Sequence, residues 1–311
     1  MRLIFSDRLD PYFHLAAELA LVQGAKDAIL MLWRSSPTVV CGKHQNACAE
    51  ANIQFCQENN IHVARRISGG GTVFHDLGNV NFTFIKNLEE GMEKAVNYKQ
   101  FLEPVRQVLA SLGVETTYSH RDDLLLNGLK ISGNAQHIYQ KGLRVLHHGT
   151  LLYDSDLKSL SAALHTEGSY EGKSVPSNRS EVTNIRQAKD LGDTVSFLGH
   201  LQREFSQFYG IQFQGDDAFT LAELQEIEEL RAEKFSKDSW ILGYSPKYIH
   251  RREIHWRGEK VELYQRVQDG IIQEMSMNDR LINECMGVRL ELDSMRTIFP
   301  GISDQDLLQL F

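Results

Sequence analysis

The 311-residue sequence predicts an α+β fold of two domains, residues 1–230 and 231–311. Short apolar runs bounded by Gly, Pro, Asn and Asp read as strands, and the tight turns between them favour antiparallel pairing. Segments with helical periodicity separate these runs at several points. After a charged helix over residues 216–234, the pattern changes to three strands separated by Arg-Gly and Asp-Gly turns. We therefore place the domain boundary near residue 231.

The first part of the chain alternates strands and helices. The segment 11–23 reads as a helix with Pro11 in its first turn and Asp10 as its cap, and 97–112 reads as a helix that ends at Gly113. Residues 47–59 also look helical. The predicted strands are 2–6, 28–34, 38–43, 62–66, 72–75 and 80–85.

The sequence DLLLNGLKISG, residues 123–133, is a strong hairpin signal because Asn-Gly stands between two apolar runs. A two-residue turn pairs Leu125 with Lys130 and Asp123 with Ser132. Directly paired residues share a face of the sheet, so these four side chains should lie together. The other face is apolar and belongs in the core. One face should therefore carry a carboxylate, an amine and a hydroxyl within a few ångströms.

The remaining elements complete both domains. A second hairpin is expected to turn at Lys141-Gly142 and to return as LRVLHHGTLLYD. In the second domain, REIHW, EKVELYQRV and IIQEMSM read as an antiparallel meander, followed by helical segments to residue 311.

Composition excludes several classes of protein. The net charge of −8 argues against broad nucleic-acid binding, which needs a basic surface. No apolar run approaches the roughly 18–20 residues of a membrane span, and the start of the chain lacks the apolar region of a signal peptide. The four cysteines show no CxxC spacing, which favours a reducing compartment without structural zinc or disulfides. We expect a cytoplasmic protein, monomeric by default.

Three consecutive glycines, Gly69–Gly71, follow two arginines. The stretch lacks the lysine of a Walker A loop, and Phe74 stands where GxGxxG requires its last glycine. Bare backbone lets N–H groups approach an anion closely. Arg65 and Arg66 should point to opposite faces of their strand, so at most one should reach the same ligand. From the glycines alone, a simple turn and an anion site both remain open, with the turn slightly favoured.

Longer stretches carry a family resemblance. The signature of lipoate–protein ligases resembles RRISGGGTVFHDLGNVNFTF at 65–84, and NGLKISGNAQ at 127–136 resembles that family's lysine motif. Three further motifs match in order and spacing, namely WRSSPTVVCGKHQN at 33–46, LHHGTLLYDSDL at 146–157 and SNRSEVTNI at 177–185. The resemblance covers nearly the whole chain, including a small C-terminal domain, without substantial departure at the positions that matter.

The resemblance implies a fold related to biotin ligases and class II tRNA-synthetase cores. It also implies ATP- and Mg²⁺-dependent activation of lipoic acid to lipoyl-AMP. The lipoyl group would then pass to a lysine of an acceptor domain, in the E2 component of a 2-oxoacid dehydrogenase or in the glycine cleavage H protein.

The same resemblance gives the site residues their expected roles. Lys130 is the expected catalytic residue, an electrostatic group that remains charged and contacts both substrates. Asp123 is a candidate ligand of Mg²⁺ or partner of the nucleoside. The expected ATP and lipoyl-AMP ligands are Arg66, Gly69, Gly70, Gly71, Thr72, Val73, Phe74, Asp123 and Lys130. The expected lipoate ligands are Lys130, Gly70, Gly71 and His148, with apolar walls from strands such as 38–42 and 72–84.

Other polar residues have plainer interpretations. Neighbours on a strand face opposite ways, so His75 and Asp76 should not form a dyad and His147 and His148 should not share a metal. Glu18 is expected to cap or to form an ion pair. Asn79 and Asn134 could order active-site loops. Ser177–Asn184 is equally consistent with a loop near the acceptor lysine and with a surface loop.

Three alternatives compete with the ligase. An acyltransferase that works through a cysteine thioester needs a thiolate near Lys130, yet no cysteine lies between Cys56 and Cys285. A lipoyl or octanoyl transferase that uses a preformed activated donor is not separated from a ligase by sequence. A biotin-ligase-like regulator would need a basic helix-turn-helix, and the acidic chain opens directly into the catalytic domain.

Overall fold

The structure, a computed structural model, describes residues 1–88, 97–139, 143–164, 168–211 and 218–311. Within these ranges the strands are β1 (Arg2–Ser6), β2 (Ile29–Trp33), β3 (Thr38–Cys41), β4 (His62–Arg65), β5 (Val73–His75), β6 (Asn79–Asn87), β7 (Thr117–Tyr118), β8 (Leu124–Leu126), β9 (Leu129–Ser132), β10 (Asn134–Tyr139), β11 (Arg144–Leu152), β12 (Ser169–Gly172), β13 (Tyr248–Trp256), β14 (Glu259–Gln268), β15 (Ile271–Met277) and β16 (Arg280–Leu281).

The α-helices in the same ranges are α1 (Pro11–Gly24), α2 (Ala47–Glu50), α3 (Ile53–Glu58), α4 (Lys99–Ser111), α5 (Leu157–Ala163), α6 (Thr194–Tyr209), α7 (Leu221–Leu230), α8 (Asp238–Ile241), α9 (Leu292–Ile298) and α10 (Asp304–Leu308). Asp10 caps α1 as predicted, since its side chain accepts from the backbone of Tyr12 and Phe13. None of these described helices has the length and apolar character that crossing a bilayer demands.

Four sheets organise the strands. Two of them have five strands; the one with the order β1-β2-β6-β11-β10 has more residues in its described strands and is called the largest sheet below, and a three-stranded sheet has the order β4-β3-β5. The hairpin β8-β9 forms a third sheet together with β7. Only the pairs β1-β2 and β3-β4 among the described strand pairs are parallel, so the α+β prediction with mostly antiparallel pairing is confirmed.

Apolar clusters cover both faces of the largest sheet. One face packs on α4 and α6 through Phe82, Phe84 and their neighbours. The other face packs on α1. This helix is buried on almost all sides, because it lies between the largest sheet and the sheet that contains β3 and β4. A helix of this kind shows little amphipathic contrast, because it has no face left for solvent.

Two sequence predictions need correction. Residues 47–59 form two helices rather than one, because Asn52 breaks the first and its side chain caps the second at Phe55. The C-terminal meander is part of a five-stranded sheet, β12-β13-β14-β15-β16, whose first strand comes from residues 169–172. The predicted turn at Lys141-Gly142 and the start of the helix at 216 lie outside the described residues.

Candidate active site

The hairpin β8-β9 places Lys130 beside Asp123. The Lys130 Nζ lies 3.0 Å from Asp123 Oδ1, and both side chains are about four-fifths buried, with 23% and 14% exposure. Lys130 pairs with Leu125 as predicted. Ser132, however, pairs with Leu124 rather than Asp123, because the register shifts by one residue at Ile131. This β-bulge turns Ser132 into the core, where it is fully buried.

The segment Ser177–Asn184 holds the other edge of this hairpin. The Lys130 N–H donates to the carbonyl of Glu181, and the Thr183 N–H donates to the carbonyl of Lys130, both at 3.0 Å. Lys130 and Val182 thus form a parallel bridge. The segment thus lies against Lys130, and its position near the acceptor lysine stays a prediction. The backbone of Lys130 is consequently fixed on both sides.

The glycine stretch forms a tight loop at which Gly70 adopts φ +89°. A Cβ atom on Gly70 would lie 3.1 Å from Nη2 of Arg66, so both the dihedral angle and the space favour glycine. Gly42 makes the same kind of demand from the facing segment, since a Cβ there would lie 2.1 Å from the Gly70 carbonyl. At Gly70 the loop is therefore packed against both the backbone of Gly42 and the side chain of Arg66.

Arg66 lies beneath this loop and is 5% exposed. Its Nη2 donates to the carbonyls of Gly69 and Gly71 at 2.7 Å, and its Nη1 donates to the carbonyl of Val40 at 3.0 Å. Burial lowers the pKa of Arg66 to about 10, which leaves the guanidinium charged at neutral pH. A buried positive charge thus sits directly under the bare backbone of the loop.

Arg65 points the opposite way, as predicted. It is fully buried, and its guanidinium donates to the backbone carbonyls of Gly42, Lys43, Gln45, Trp240 and Ile241 and to the Ser245 hydroxyl. The Trp240 indole in turn donates to the Arg65 carbonyl at 2.8 Å. Arg65 therefore joins the strand that leads into the glycine loop to the segment around α8.

A buried chain of hydrogen bonds links α1 to Arg66. Glu18 Oε1 lies 2.7 Å from the Thr83 hydroxyl and 2.8 Å from His148 Nδ1. His148 Nε2 lies 2.7 Å from the Ser68 hydroxyl, to which Arg66 Nε donates at 2.9 Å. Of the two roles expected for Glu18, the cap is wrong, because Asp10 caps α1, and the Glu18 carboxylate instead lies at hydrogen-bond distance from His148. Sequence alone did not reveal the role of Ser68, whose hydroxyl connects His148 to Arg66 in this series of hydrogen bonds.

Two cavities meet at Lys130. The first has a volume of about 260 Å³ and lies between the largest sheet, α1 and the β3-β5 sheet. Its walls combine Leu15, Trp33 and Val40 with Arg66, Asp123 and His148. The second has a volume of about 310 Å³ and is lined by Phe74, Leu152 and Leu160 among others. Thr72, Val73, Lys130 and Gly133 belong to both walls.

Most of the residues predicted for the site line these cavities. The first cavity contacts Arg66, Gly70, Gly71, Thr72, Val73, Asp123, Lys130 and His148. Phe74 lines the second cavity but not the first, and Gly69 lines neither of them. Val40 and Val73 supply apolar wall from the strands expected to do so. The geometry therefore brings together every predicted residue except Gly69.

Sequence reasoning missed the ties around Thr72. The Thr72 N–H donates to the Ser177 hydroxyl at 2.8 Å, and the Thr72 hydroxyl donates to Gln45 Oε1, also at 2.8 Å. Ser177 is held in turn by the carboxylate of Glu50. These residues lie far apart in sequence, and the signal available was their position inside motifs 33–46 and 177–185.

The histidine predictions agree with the contacts. His147 stacks on Phe101 at 4.9 Å on one face of β11, while His148 faces Glu18 on the other. Asp76 accepts from the backbone of Gly78 and Asp156 and so shapes its loop rather than pairing with His75.

The cysteines lie away from Lys130. All four are buried and free, and Cys41 is part of an apolar core cluster as expected. Burial raises the pKa of the thiols of Cys56 and Cys285 to about 12 and that of Cys48 to about 11. The pKa of Cys41 is raised for the same reason. Such thiols are poor nucleophiles at neutral pH.

Comparisons with known proteins agree with this geometry. Residues 10–205 match the family model of the lipoyl protein ligase A/B catalytic domain. Lipoate-protein ligase LplJ of Bacillus subtilis is 35% identical over 269 residues, which cover 85% of this chain and 80% of the relative.

Two solved proteins share the fold. A lipoate-protein ligase A bound with ATP superposes with a TM-score of 0.67 at 27% identity, covering 78% of this chain and 98% of the other. A lipoate protein ligase of Thermoplasma acidophilum with bound lipoic acid gives 0.65 at 26% identity, with coverage of 78% and 98%. The chain belongs to the lipoate–protein ligase family, and its catalytic domain includes residues 10–205.

Proposed function

We propose that this protein uses ATP to activate lipoic acid as lipoyl-AMP and then transfers the lipoyl group to a lysine of an acceptor domain. The observation that carries this proposal is the meeting of two cavities at Lys130. The first cavity, with its apolar inner walls, suits the acyl chain. The second, beside Thr72 and Phe74, suits the nucleoside. The reacting carboxylate and the α-phosphate would then meet beside the Lys130 ammonium.

In the first step, an oxygen of the lipoate carboxylate attacks the α-phosphorus and pyrophosphate leaves. Both reactants are anions, so positive charge and backbone N–H groups must offset their repulsion. Lys130 supplies one cation at the wall that the two cavities share, and Arg66 supplies another under the glycine loop. Because the Arg66 donors already hold loop carbonyls, we assign this residue to shaping the loop and to its electrostatic potential.

In the second step, the amine of the acceptor lysine attacks the acyl carbonyl. The C–N bond forms, the bond from the acyl carbon to the phosphate oxygen breaks, AMP leaves and the surplus amine proton passes to solvent. Lys130 would stabilise charge on the acyl oxygen and on the departing phosphate. The same ammonium thus serves both half-reactions. This explains its placement between two cavities rather than inside one.

We propose that Mg²⁺ enters with the phosphates of ATP and takes Asp123 as a protein ligand. Mg²⁺ commonly uses one or two carboxylates together with phosphate oxygens. Across the residues that the structure describes, no group of three or more His, Cys, Asp or Glu side chains is placed to hold a metal. A single carboxylate at the cavity wall fits an ion that the substrate brings.

The biological setting follows from the proposed reaction. The acceptors would be the lipoyl domains of 2-oxoacid dehydrogenase E2 proteins and the glycine cleavage H protein. Four free, buried cysteines suit the reducing conditions of the cytoplasm. We propose a monomer of 35.5 kDa, with a catalytic domain up to about residue 230 and an accessory domain from 231.

The direct test of the activation step is pyrophosphate release from ATP. The account expects release that depends on lipoic acid and Mg²⁺ and that needs no acceptor protein. Pyrophosphate release at the same rate with and without lipoic acid would contradict the account. The four buried thiols disfavour the thioester alternative, because none of them lines either cavity.

A further inference from the structure

The wall that the largest sheet gives to the first cavity carries a row of polar side chains. On β6 the residues Asn79, Asn81 and Thr83 alternate with buried apolar residues and so share one face. Asn81 pairs in register with Trp33 on β2 and with Thr150 on β11, and all three side chains line the cavity. Asn81 is 2% exposed.

Most polar atoms in this row satisfy one another. Trp33 Nε1 donates to the Thr83 hydroxyl at 3.2 Å, and that hydroxyl donates to Glu18. Asn79 Nδ2 donates to Asn81 Oδ1 at 2.9 Å, and Asn79 Oδ1 is left without a hydrogen-bond partner among the described residues. The Asn81 Nδ2 group has no hydrogen-bond partner among the described residues. A buried amide donor is therefore left over at the wall of a cavity.

A buried donor without an acceptor is unfavourable, so such groups usually mark a bound molecule or water. Leu15 and Val40, which line the same cavity, have no side-chain acceptor to offer, and the Thr150 hydroxyl already accepts from a backbone N–H. A ligand bound in this cavity would supply the missing acceptor. Lipoic acid carries acceptors at two places, its carboxylate and the two sulfurs of its dithiolane ring. Divalent sulfur accepts weakly but measurably.

We propose that Asn81 Nδ2 donates to a dithiolane sulfur, which makes Asn81 the residue that selects a sulfur heterocycle over a plain hydrocarbon tail. The proposal rests on the proposed function, because it takes the lipoate carboxylate to lie at Lys130. With the carboxylate at the wall shared by the two cavities, the sulfurs are the acceptors that remain for Asn81. A buried donor discriminates between the two kinds of acid, because a tail without an acceptor leaves the donor unpaired and therefore binds less tightly.

The test is a cycle of two ligands and two proteins. Lipoic acid and 5-cyclopentylpentanoic acid have the same chain and ring size, but the second has no sulfur. Their binding to the wild-type protein and to Asn81→Leu is measured by calorimetry. Leucine has similar volume and no donor. In each protein the two affinities are expressed as a ratio. The general difference in hydrophobicity between the rings affects both ratios alike, so it cancels when the ratio of the wild type is compared with that of the variant.

We expect the lipoate preference of the wild-type protein to fall by about fivefold in Asn81→Leu, the size of one modest hydrogen bond. Val40→Ala is the matched control, because it enlarges the same cavity without changing a donor. It should weaken both acids alike and keep the wild-type ratio. Thermal unfolding of each variant checks that it is folded.

An unchanged ratio of the two affinities in Asn81→Leu would overturn the proposal. If both acids lost affinity by the same factor, the amide would lie at the carboxylate instead. If Asn81→Leu does not fold, Asn81→Ala, which also lacks the donor, replaces it, and an unchanged ratio in that variant also overturns the proposal. Failure to bind either acid would do the same. Lipoate-dependent pyrophosphate release by the wild-type protein separately reports on the proposed function, so the two failures are distinguishable.

Discussion

At the scale of single residues, charge and bare backbone are placed within a few ångströms of each other. Lys130 is held by Asp123 through its side chain and by residues 181–183 through its backbone. Arg66 is held by loop carbonyls under Gly70. Fixed charges of this kind need little reorganisation when a phosphate arrives, which is the source of electrostatic catalysis.

Gly70 is the glycine of the stretch whose replacement should cost most. Its φ of +89° is strained for any side chain, and the new Cβ would press on Arg66. We expect Gly70→Ala to weaken ATP binding about tenfold, from a strain of about 1–3 kcal/mol. A Cβ at Gly69 meets nothing within 4 Å, so Gly69→Ala is the matched control. Equal ATP affinities of the two variants in a titration would show that the loop is only a turn.

Glu18 should act at a distance through His148 and Ser68. In Glu18→Gln an amide N–H₂ would face either His148 Nδ1 or the Thr83 hydroxyl, both of which the carboxylate now binds. The free energy of unfolding should fall by about 1–3 kcal/mol. KM for ATP should rise because Ser68, which accepts from Arg66 Nε, is then held less firmly by His148. The exposed Glu229→Gln serves as control, and steady-state kinetics with unchanged KM in Glu18→Gln would refute the link.

At the scale of secondary-structure elements, sequence predicted the hairpin β8-β9 and its turn but not its exact register. The Asn127-Gly128 signal is local, and it fixed the pairs nearest the turn. The bulge at Ile131 depends on contacts with residues 181–183, which no local pattern reveals. The same reason explains β12, a short strand whose partner lies about 80 residues further along the chain. Motifs identified residues that line the two cavities, but the hydrogen bonds among Gln45, Glu50 and Ser177 required the fold.

Arg65 is expected to hold α8 and its neighbours against the strand that leads into the glycine loop. Removing the guanidinium in Arg65→Met leaves several buried carbonyls without donors. The free energy of unfolding should fall by about 3 kcal/mol or more, as for other broken buried networks. Arg296→Met removes an exposed arginine with surface ion pairs and should cost less than about 1 kcal/mol. Similar urea midpoints for the two variants would contradict this assignment.

At the scale of the whole molecule, buried histidines should make the fold sensitive to acid. Burial lowers the pKa of His14 and His75 to about 3 and that of His250 to about 4, and it also lowers the pKa of His147. The unfolded chain binds protons near pH 6.5 while the folded chain does not. Stability should therefore be complete above pH 6.5 and decline as the pH falls from there toward 3–4.

The decline should be large enough to measure. Protonation of each of these histidines in the unfolded chain should lower the free energy of unfolding by about 1 kcal/mol between pH 7.5 and 5.5. Urea unfolding at the two pH values gives the difference directly. His250→Gln, in the C-terminal sheet, should reduce the loss by about one histidine's share. A free energy of unfolding that is the same at both pH values would mean that these rings are protonated in the folded protein.

The central claim is that Lys130 serves both half-reactions at the junction of two cavities. Its most direct test is the intact mass of an unmodified lipoyl acceptor domain after incubation with the protein, lipoic acid and Mg-ATP. The account predicts a gain of one lipoyl group that requires ATP. In folded Lys130→Ala the gain should fall by on the order of 10²-fold or more, both from lipoic acid with ATP and from supplied lipoyl-AMP. A gain by the wild-type protein only from supplied lipoyl-AMP and not from lipoic acid with Mg-ATP, or full activity of Lys130→Ala with either donor, would contradict it.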